Sequence, residues 1–352
     1  MAHRDELITS VVACRGRGAT HIESRACPSA GPGEMLLRLR ACGLCGTDLF
    51  KLANDTSPPG MVLGHEVTGT VEALGEGVSG FAEGDRVVVP HHVPCGECAL
   101  CVRGSETLCA VFRENLLDPG GFSERVLVRE RAVRLAARKV PEGIADEAAI
   151  FLEPAACVLR GIERAGLPPA DASFSACAVV LGAGSMGLLH LLVLRATHPG
   201  LKIFVSDTME ERLALARRLG ADEVGPPRGI GPIVREATQG LGADVVFDTV
   251  GGASVLEAAL GLTREGGTVV LFAHAASGDQ AGFDLNTVFK YERRVVGTYS
   301  GALREQEEVF QLILSGRLDA SPLVTHRLPL SRFEDAVRLA RERKALKVLL
   351  IP

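Results

Sequence analysis

Nine residues constrain the fold most: Val179-Val180-Leu181-Gly182-Ala183-Gly184-Ser185-Met186-Gly187, where an apolar run passes through Gly-x-Gly-x-x-Gly into a helical stretch. In that context Gly182 makes a tight turn, Gly184 lets the backbone approach a pyrophosphate, and Gly187 lets helix and strand pack closely. Ser185 and Met186 then open a helix whose positive end faces the phosphates. Asp207 follows at the end of the next apolar run, twenty residues after Gly187. A carboxylate there accepts hydrogen bonds from the adenosine ribose hydroxyls and repels a 2′-phosphate, so the expected cofactor is NAD rather than NADP. Arg212 and Arg217 lie on the helix after Asp207. Arg212 is a candidate cofactor contact and an arginine there could hold the 2′-phosphate of NADP, although a solvated helix face is the ordinary use of such residues.

The surrounding sequence keeps the same rhythm. Apolar runs at 179–181, 203–205, 245–247 and 269–272 alternate with helical stretches such as 209–219 and 255–262. Such alternation implies parallel strands joined by crossovers, hence a doubly wound sheet. Residues 30–150 read differently, as short apolar runs at 34–39, 66–71 and 86–89 broken by glycine and proline, which is an all-β pattern. The tail reads as a helix near 305–314, a strand-like run at 324–328, a helix at 333–340 and a final apolar run at 348–351, and is assigned back to the β-rich part. The expected class is therefore α/β. A β-rich domain spans 1–155 and 297–352, and a nucleotide-binding domain spans 156–296.

Bulk properties narrow the partners. A chain of 352 residues with 47% apolar composition can bury two cores. The net charge of -5 offers no footprint for nucleic acid or an anionic membrane, and small molecules are the expected partners. Met1-Ala-His-Arg-Asp-Glu lacks the apolar core of a signal peptide, and the apolar run 188–194 is too short to span a bilayer, which points to the cytoplasm. Ten cysteines in a reducing compartment argue for thiolate ligands rather than disulfides.

Four of those cysteines, Cys95, Cys98, Cys101 and Cys109, fall within fifteen residues, directly after His91-His92-Val93-Pro94. Four thiolates at this spacing close a tetrahedron around zinc and leave no position for a substrate, so the expected role is structural. The fourth spacing differs from the ferredoxin pattern, which disfavours an iron–sulfur cluster. A second set is dispersed: Cys45 in Gly43-Leu44-Cys45-Gly46-Thr47-Asp48, then Gly64-His65-Glu66, then Glu153. Thiolate, imidazole and carboxylate are all zinc donors, and their wide separation suits an open site assembled by the fold. Cys42 and Cys45 also spell Cys-x-x-Cys, but the flanking residues favour Cys45 as a ligand and leave Cys42, like Cys14, Cys27, Cys157 and Cys177, as packing.

Together these segments, with Gly120-Gly121-Phe122-Ser123-Glu124 and Glu153-Pro154-Ala155-Ala156-Cys157, resemble the zinc-dependent medium-chain dehydrogenases. Within them the chain resembles the polyol branch of sorbitol and L-iditol 2-dehydrogenases, with threonine 3-dehydrogenase close by. The resemblance implies a GroES-like catalytic domain beside a Rossmann NAD-binding domain. It also implies a catalytic zinc held by Cys45, His65 and one or both of Glu66 and Glu153, a structural zinc on the cysteine cluster, and a homodimer or homotetramer. Cys45, Glu66 and Glu153 all bound would leave zinc with a formal charge of -1 and no vacancy, so one glutamate must yield. By the same resemblance Asp48 accepts a hydrogen bond from His65, and Thr47 passes the alcohol proton outward. The chain departs from its relatives at Phe50, where many carry histidine. It departs again at Gly297-Thr298-Tyr299-Ser300-Gly301, which lacks the arginine of the polyol enzymes. The implied activity is hydride transfer between a secondary alcohol, polyol-like in character, and NAD. Threonine, an aminocyclitol or a simple secondary alcohol are alternative substrates. A non-catalytic, redox-responsive NAD- and zinc-binding module is the alternative from another class, and the intact Cys45, Thr47, His65 and Glu153 argue against it.

Overall fold

The computed structural model describes residues 7–167, 176–276 and 278–352, so the reading of residues 1–6 lies outside the described residues. The chain divides into two compact units. The first takes the residues up to Glu153 together with Ala302–Ser315 and Asp319–Pro352; the second takes Pro154–Gly301 and Gly316–Leu318.

In the first unit, strands form where glycine and proline punctuate runs of valine and leucine. Along one path the sheet order is Val324–Pro329, Lys347–Ile351, Met35–Gly43, Glu66–Leu74, Arg86–Pro90 and Arg138–Lys139. Arg125–Val128 pairs with both Met35–Gly43 and Leu117–Asp118. All neighbours are antiparallel except the first two strands. The central strand Met35–Gly43 is buried at nearly every position, because its two arginines, Arg38 and Arg40, are the only residues turned to solvent. A hairpin of Ile8–Gly16 and Ala19–Ala26 joins this core through bridges from Val11 to Ser123 and from Ala13 to Val62. The sequence reading leaves that hairpin without an element, since its second strand, Ala-Thr-His-Ile-Glu-Ser-Arg-Ala, is too polar to show an apolar alternation.

The second unit is a six-stranded sheet ordered Glu223–Gly225, Lys202–Ser206, Cys177–Leu181, Ala243–Asp248, Thr263–Leu271 and Arg294–Gly297, and every pairing is parallel. In chain order this is 3-2-1-4-5-6, the doubly wound dinucleotide-binding arrangement. Cys177–Leu181 is buried throughout, which explains its unbroken apolar run. After the last strand the chain docks Gly301 against Ala156, where any Cβ would meet backbone, so this short segment stays with the second unit.

Burial separates two phenylalanines cleanly. Phe122 is 0% exposed and packs against Phe333 with ring centroids 4.8 Å apart and planes tilted by 57°, whereas Phe289 is 82% exposed. Phe122→Ala is expected to destabilise the first unit by about 3–5 kcal/mol and Phe289→Ala by less than about 0.5 kcal/mol, read as shifts in urea midpoint. Equal shifts would contradict the assigned core.

Candidate functional site

Cys45 sits at the N-terminal end of the helix Gly46–Ala53, and Asp48 in its first turn reaches back to it. Asp48 is 0% exposed. Its Oδ2 accepts the Cys45 backbone N–H at 3.0 Å, and its Oδ1 accepts the Gly64 N–H at 3.3 Å. The same Oδ1 lies 3.4 Å from Nδ1 of His65. One buried carboxylate therefore ties together two chain segments that bring a thiol and an imidazole to one place. Gly64 makes this possible: its φ is +90°, and a Cβ there would crowd the Phe122 amide nitrogen at 2.7 Å and Cys42 Sγ at 2.9 Å. Burial works against charge on Asp48, yet the His65 ring and the two N–H donors hold its carboxyl below the usual range. For His65 burial again opposes charge, but Asp48 and Cys45 outweigh it and raise its pKa well above the ordinary value.

Glu66 begins the strand after His65 and is the cross-strand partner of Gly43. A Cβ at Gly43 would overlap Glu66 Oε2, so the missing side chain is the space the carboxylate fills. Both Glu66 oxygens accept hydrogen bonds from Lys347 Nζ, each at 2.7 Å. The two side chains are 0% and 2% exposed. Lys347 heads the strand Lys347–Ile351, which pairs with Met35–Gly43 through Leu349 and Gly43. Burial disfavours the ammonium, but Glu66, Cys45 and Glu153 outweigh it and raise the Lys347 pKa. Its Nζ also lies 5.7 Å from the Phe151 ring centroid. Sequence reasoning missed Lys347; the available signal was a single charge heading an otherwise apolar strand in a chain whose open site is rich in anions.

The ligand atoms of Cys45, His65 and Glu66 all lie within 4.8 Å of one another. This donor set suits zinc. Glu153 is buried in the first turn of the helix Leu152–Ala165 and lies outside that group. Thr47 is half-buried in the first turn of the Cys45 helix, with Phe50 and Lys51 farther along it.

The cysteine cluster closes tightly. Sγ separations are 3.5 Å for Cys98–Cys101, 3.6 Å for Cys95–Cys109 and 3.9 Å for Cys95–Cys101. A tetrahedron with Zn–S bonds of about 2.3 Å puts its sulfurs about 3.8 Å apart, whereas a disulfide needs about 2.05 Å. The spacing fits a metal knot, and all four cysteines are free thiols. Backbone N–H groups of Glu97 and Cys98 point at Cys95 Sγ and, with its neighbouring thiols, bring its pKa down to about 6.

In the second unit the strand Cys177–Leu181 ends at Gly182, and the helix Ser185–Thr197 starts directly after Gly184. A Cβ at Gly187 would overlap the Gly182 carbonyl oxygen. Around Gly184 the one nearby protein atom is Nη1 of Arg212, 3.6 Å from where a Cβ would stand. Packing does not require glycine at that position; an approaching phosphate does. Ser185 Oγ is buried at this helix start without a hydrogen-bond partner, an acceptor and donor left for a ligand. Asp207 accepts the Ala183 N–H at 2.7 Å and the Met209 N–H at 2.9 Å, which anchors its carboxylate beside the fingerprint with lone pairs to spare. The residues present fit a dinucleotide.

Comparison with known proteins agrees with this geometry. Residues 31–138 match the family model described as the alcohol dehydrogenase GroES-like domain, and residues 187–315 match the zinc-binding dehydrogenase model. The chain is 30% identical to the sorbitol dehydrogenase of Halalkalibacterium halodurans over 96% of its own length and 97% of that protein's. It is 32% identical to the L-threonine 3-dehydrogenase of Pyrococcus furiosus, covering 92% of each. Among solved structures, the alcohol dehydrogenase TADH from Thermus sp. ATN1 superposes with a TM-score of 0.82 at 30% identity, covering 97% of this chain and 99% of that one. With the fold, the two donor sets and the nucleotide fingerprint in agreement, the chain belongs to the zinc-dependent alcohol dehydrogenase family.

Proposed function

We propose that the protein transfers hydride between NAD and a secondary hydroxyl of a small polyol-like substrate, giving the ketone. The observation that carries this reading is the open donor set Cys45, His65 and Glu66. When bound there, zinc supplies a Lewis acid that lowers the pKa of an alcohol hydroxyl; a fall from about 16 to about 7 corresponds to roughly 12 kcal/mol. The protein's own residues do the rest. Cys45 and His65 hold the metal, and Asp48 fixes the His65 ring. Glu66 and Glu153 are the exchangeable carboxylates, and Lys347 offsets the surplus negative charge they create. Thr47 takes the hydroxyl proton. With Phe50 where relatives carry histidine, the chain's own candidate for the next step outward is Lys51, one turn along the same helix, while bound NAD would supply the ribose hydroxyls as the other route. Gly182, Gly184, Ser185, Met186 and Gly187 would receive the pyrophosphate of NAD, with Arg212 beside it, and Asp207 would accept hydrogen bonds from the ribose hydroxyls.

One observation favours a second reading. The residue before Tyr299 is Thr298, whose Oγ1 is buried without a partner, where the polyol enzymes have arginine. A substrate with fewer hydroxyls, such as threonine or a simple secondary alcohol, fits that change, and an aminocyclitol, whose amine an arginine would repel, fits it too. The cysteine usage and the lack, among described residues, of a helix long and apolar enough to cross a membrane support a cytoplasmic location. The edge strand Arg294–Gly297, with Leu285 and Phe289 exposed in the segment before it, supports a homodimer or homotetramer.

Protein loaded with zinc and mixed with NAD is expected to reduce it with at least one of a panel of polyols, threonine and cyclitols, followed at 340 nm. No turnover on any of them would leave the non-catalytic module as the reading. Metal analysis is expected to give two zinc ions per chain, and iron with labile sulfide would overturn the cysteine-cluster assignment. Thr47→Ala is expected to lower kcat by about 100-fold or more with cofactor affinity retained; unchanged turnover removes Thr47 from the proton path. Lys347→Met strands a buried carboxylate and is expected to destabilise the first unit by about 3–5 kcal/mol. The double variant Lys347→Met with Glu66→Gln is expected to recover most of that loss.

A further inference from the structure

The two histidines before the cysteine cluster have no part in the chemistry above, yet they stand between the two metal constellations. Pro90 is the cross-strand partner of Glu66, so the next residue, His91, emerges beside His65. The His65 and His91 ring centroids are 4.5 Å apart. His91 and His92 follow at 3.6 Å, and His92 and Phe112 at 4.8 Å, with interplanar angles of 40°, 33° and 41° along the series. Phe112 is 0% exposed and shares its only core with Cys101 and Cys109, against which Cys95, Cys98 and Val111 pack. Four rings therefore run without a gap from the open site's imidazole to the sulfurs of the closed one.

We propose that His91 and His92 are positioning residues through which the closed cysteine site sets the orientation of His65 in the open site. The inference rests on the zinc reading of both sites. Its physical basis is the weakness of the lobe they lean on. Between Cys95 and Phe112 the described residues form one four-residue helix, Ala99–Val102, and one 3-10 turn, Glu106–Leu108. Their buried core is three residues, too few to fix a fold without a staple. Where Phe112 sits therefore follows from how the four thiolates close, and His92, His91 and His65 are stacked on it in turn. His65 is held along its ring edge by a rather long contact to Asp48, at 3.4 Å, and by the Cys45 thiol, and neither packs on the ring face, so the face covered by His91 has a share in setting its plane. His91 Nδ1 is buried without a partner, so phenylalanine can stand in for the ring without leaving a polar atom unsatisfied.

A competing account is available on the same lobe. Arg131 donates to the Val111 carbonyl at 2.9 Å and to Glu114 at 2.8 Å, and Gln306 donates to the His92 carbonyl at 3.4 Å. If these anchors alone held the lobe, the rings would be filler.

The test uses full-length protein with zinc in the cysteine site and cobalt(II) in the open site, whose visible absorption bands report ligand geometry. His92→Ala is expected to shift those bands and to weaken cobalt retention against a chelator by about 10-fold or more, while His92→Phe retains the parent spectrum. His91→Ala and His91→Phe should divide in the same way, and Cys101→Ala, which opens the closed site, should move the bands as His92→Ala does. A melting temperature lowered by His92→Ala with an unchanged cobalt spectrum and retention would overturn the proposal, because it would make the ring a packing residue only. Failure of the parent protein to take up cobalt at Cys45 and His65 would instead remove the open-site reading and this inference with it.

Discussion

The first unit turns on a carboxylate that water never reaches. Asp48 takes a backbone N–H from each of two segments and faces the imidazole carried by one of them. A buried acid is tolerable only when its lone pairs are filled and a positive or polar group stands opposite. Asp48 meets that condition by drawing the Cys45 helix and the Gly64 turn together, so satisfying the acid and assembling the donors are one event. Without this link a cysteine in a helix start and a histidine twenty residues later have no reason to meet.

The second ionic element has a different logic. Glu66 and Lys347 are opposite charges on strands separated by Met35–Gly43, and they meet because Gly43 has no side chain to stand between them. Such a pair contributes little net stability relative to an apolar substitute, since removing both groups from water offsets most of their attraction. Its use is better sought in the site, where the Cys45 thiol and the Glu66 carboxylate stand beside His65 as a donor set carrying negative charge. A fixed cation bonded to both Glu66 oxygens balances the charge of that carboxylate where it stands beside Cys45 and His65.

What could be read from the sequence follows from how far each signal reaches along the chain. The nucleotide fingerprint and the cysteine cluster are local: turn geometry and ligand spacing are settled within ten or fifteen residues, and the structure places both as the residues suggest. The parallel sheet was legible because fully buried strands leave unbroken apolar runs. The hairpin Ile8–Gly16 with Ala19–Ala26 was not, as its outer strand carries threonine, histidine, glutamate and arginine at the positions that would have shown an alternation. Lys347 and the ring series were invisible for another reason. Both depend on strand register, Leu349 against Gly43 and Pro90 against Glu66, and register is a property of the assembled sheet. Cys45, His65 and Glu66 come together, but the grouping that includes Glu66 leaves Glu153 outside, a distinction no spacing rule contains.

The strand Lys347–Ile351 belongs to the first unit yet is separated from Glu66 by the whole nucleotide-binding unit in chain order. During synthesis the acid emerges from the ribosome long before its base does. The β-rich unit must therefore wait, with a carboxylate destined for burial still uncompensated, while the parallel sheet is made and can fold as a unit of its own. The Glu66–Lys347 pair can therefore close only after the nucleotide-binding segment has been made, a consequence of where one lysine lies in the chain.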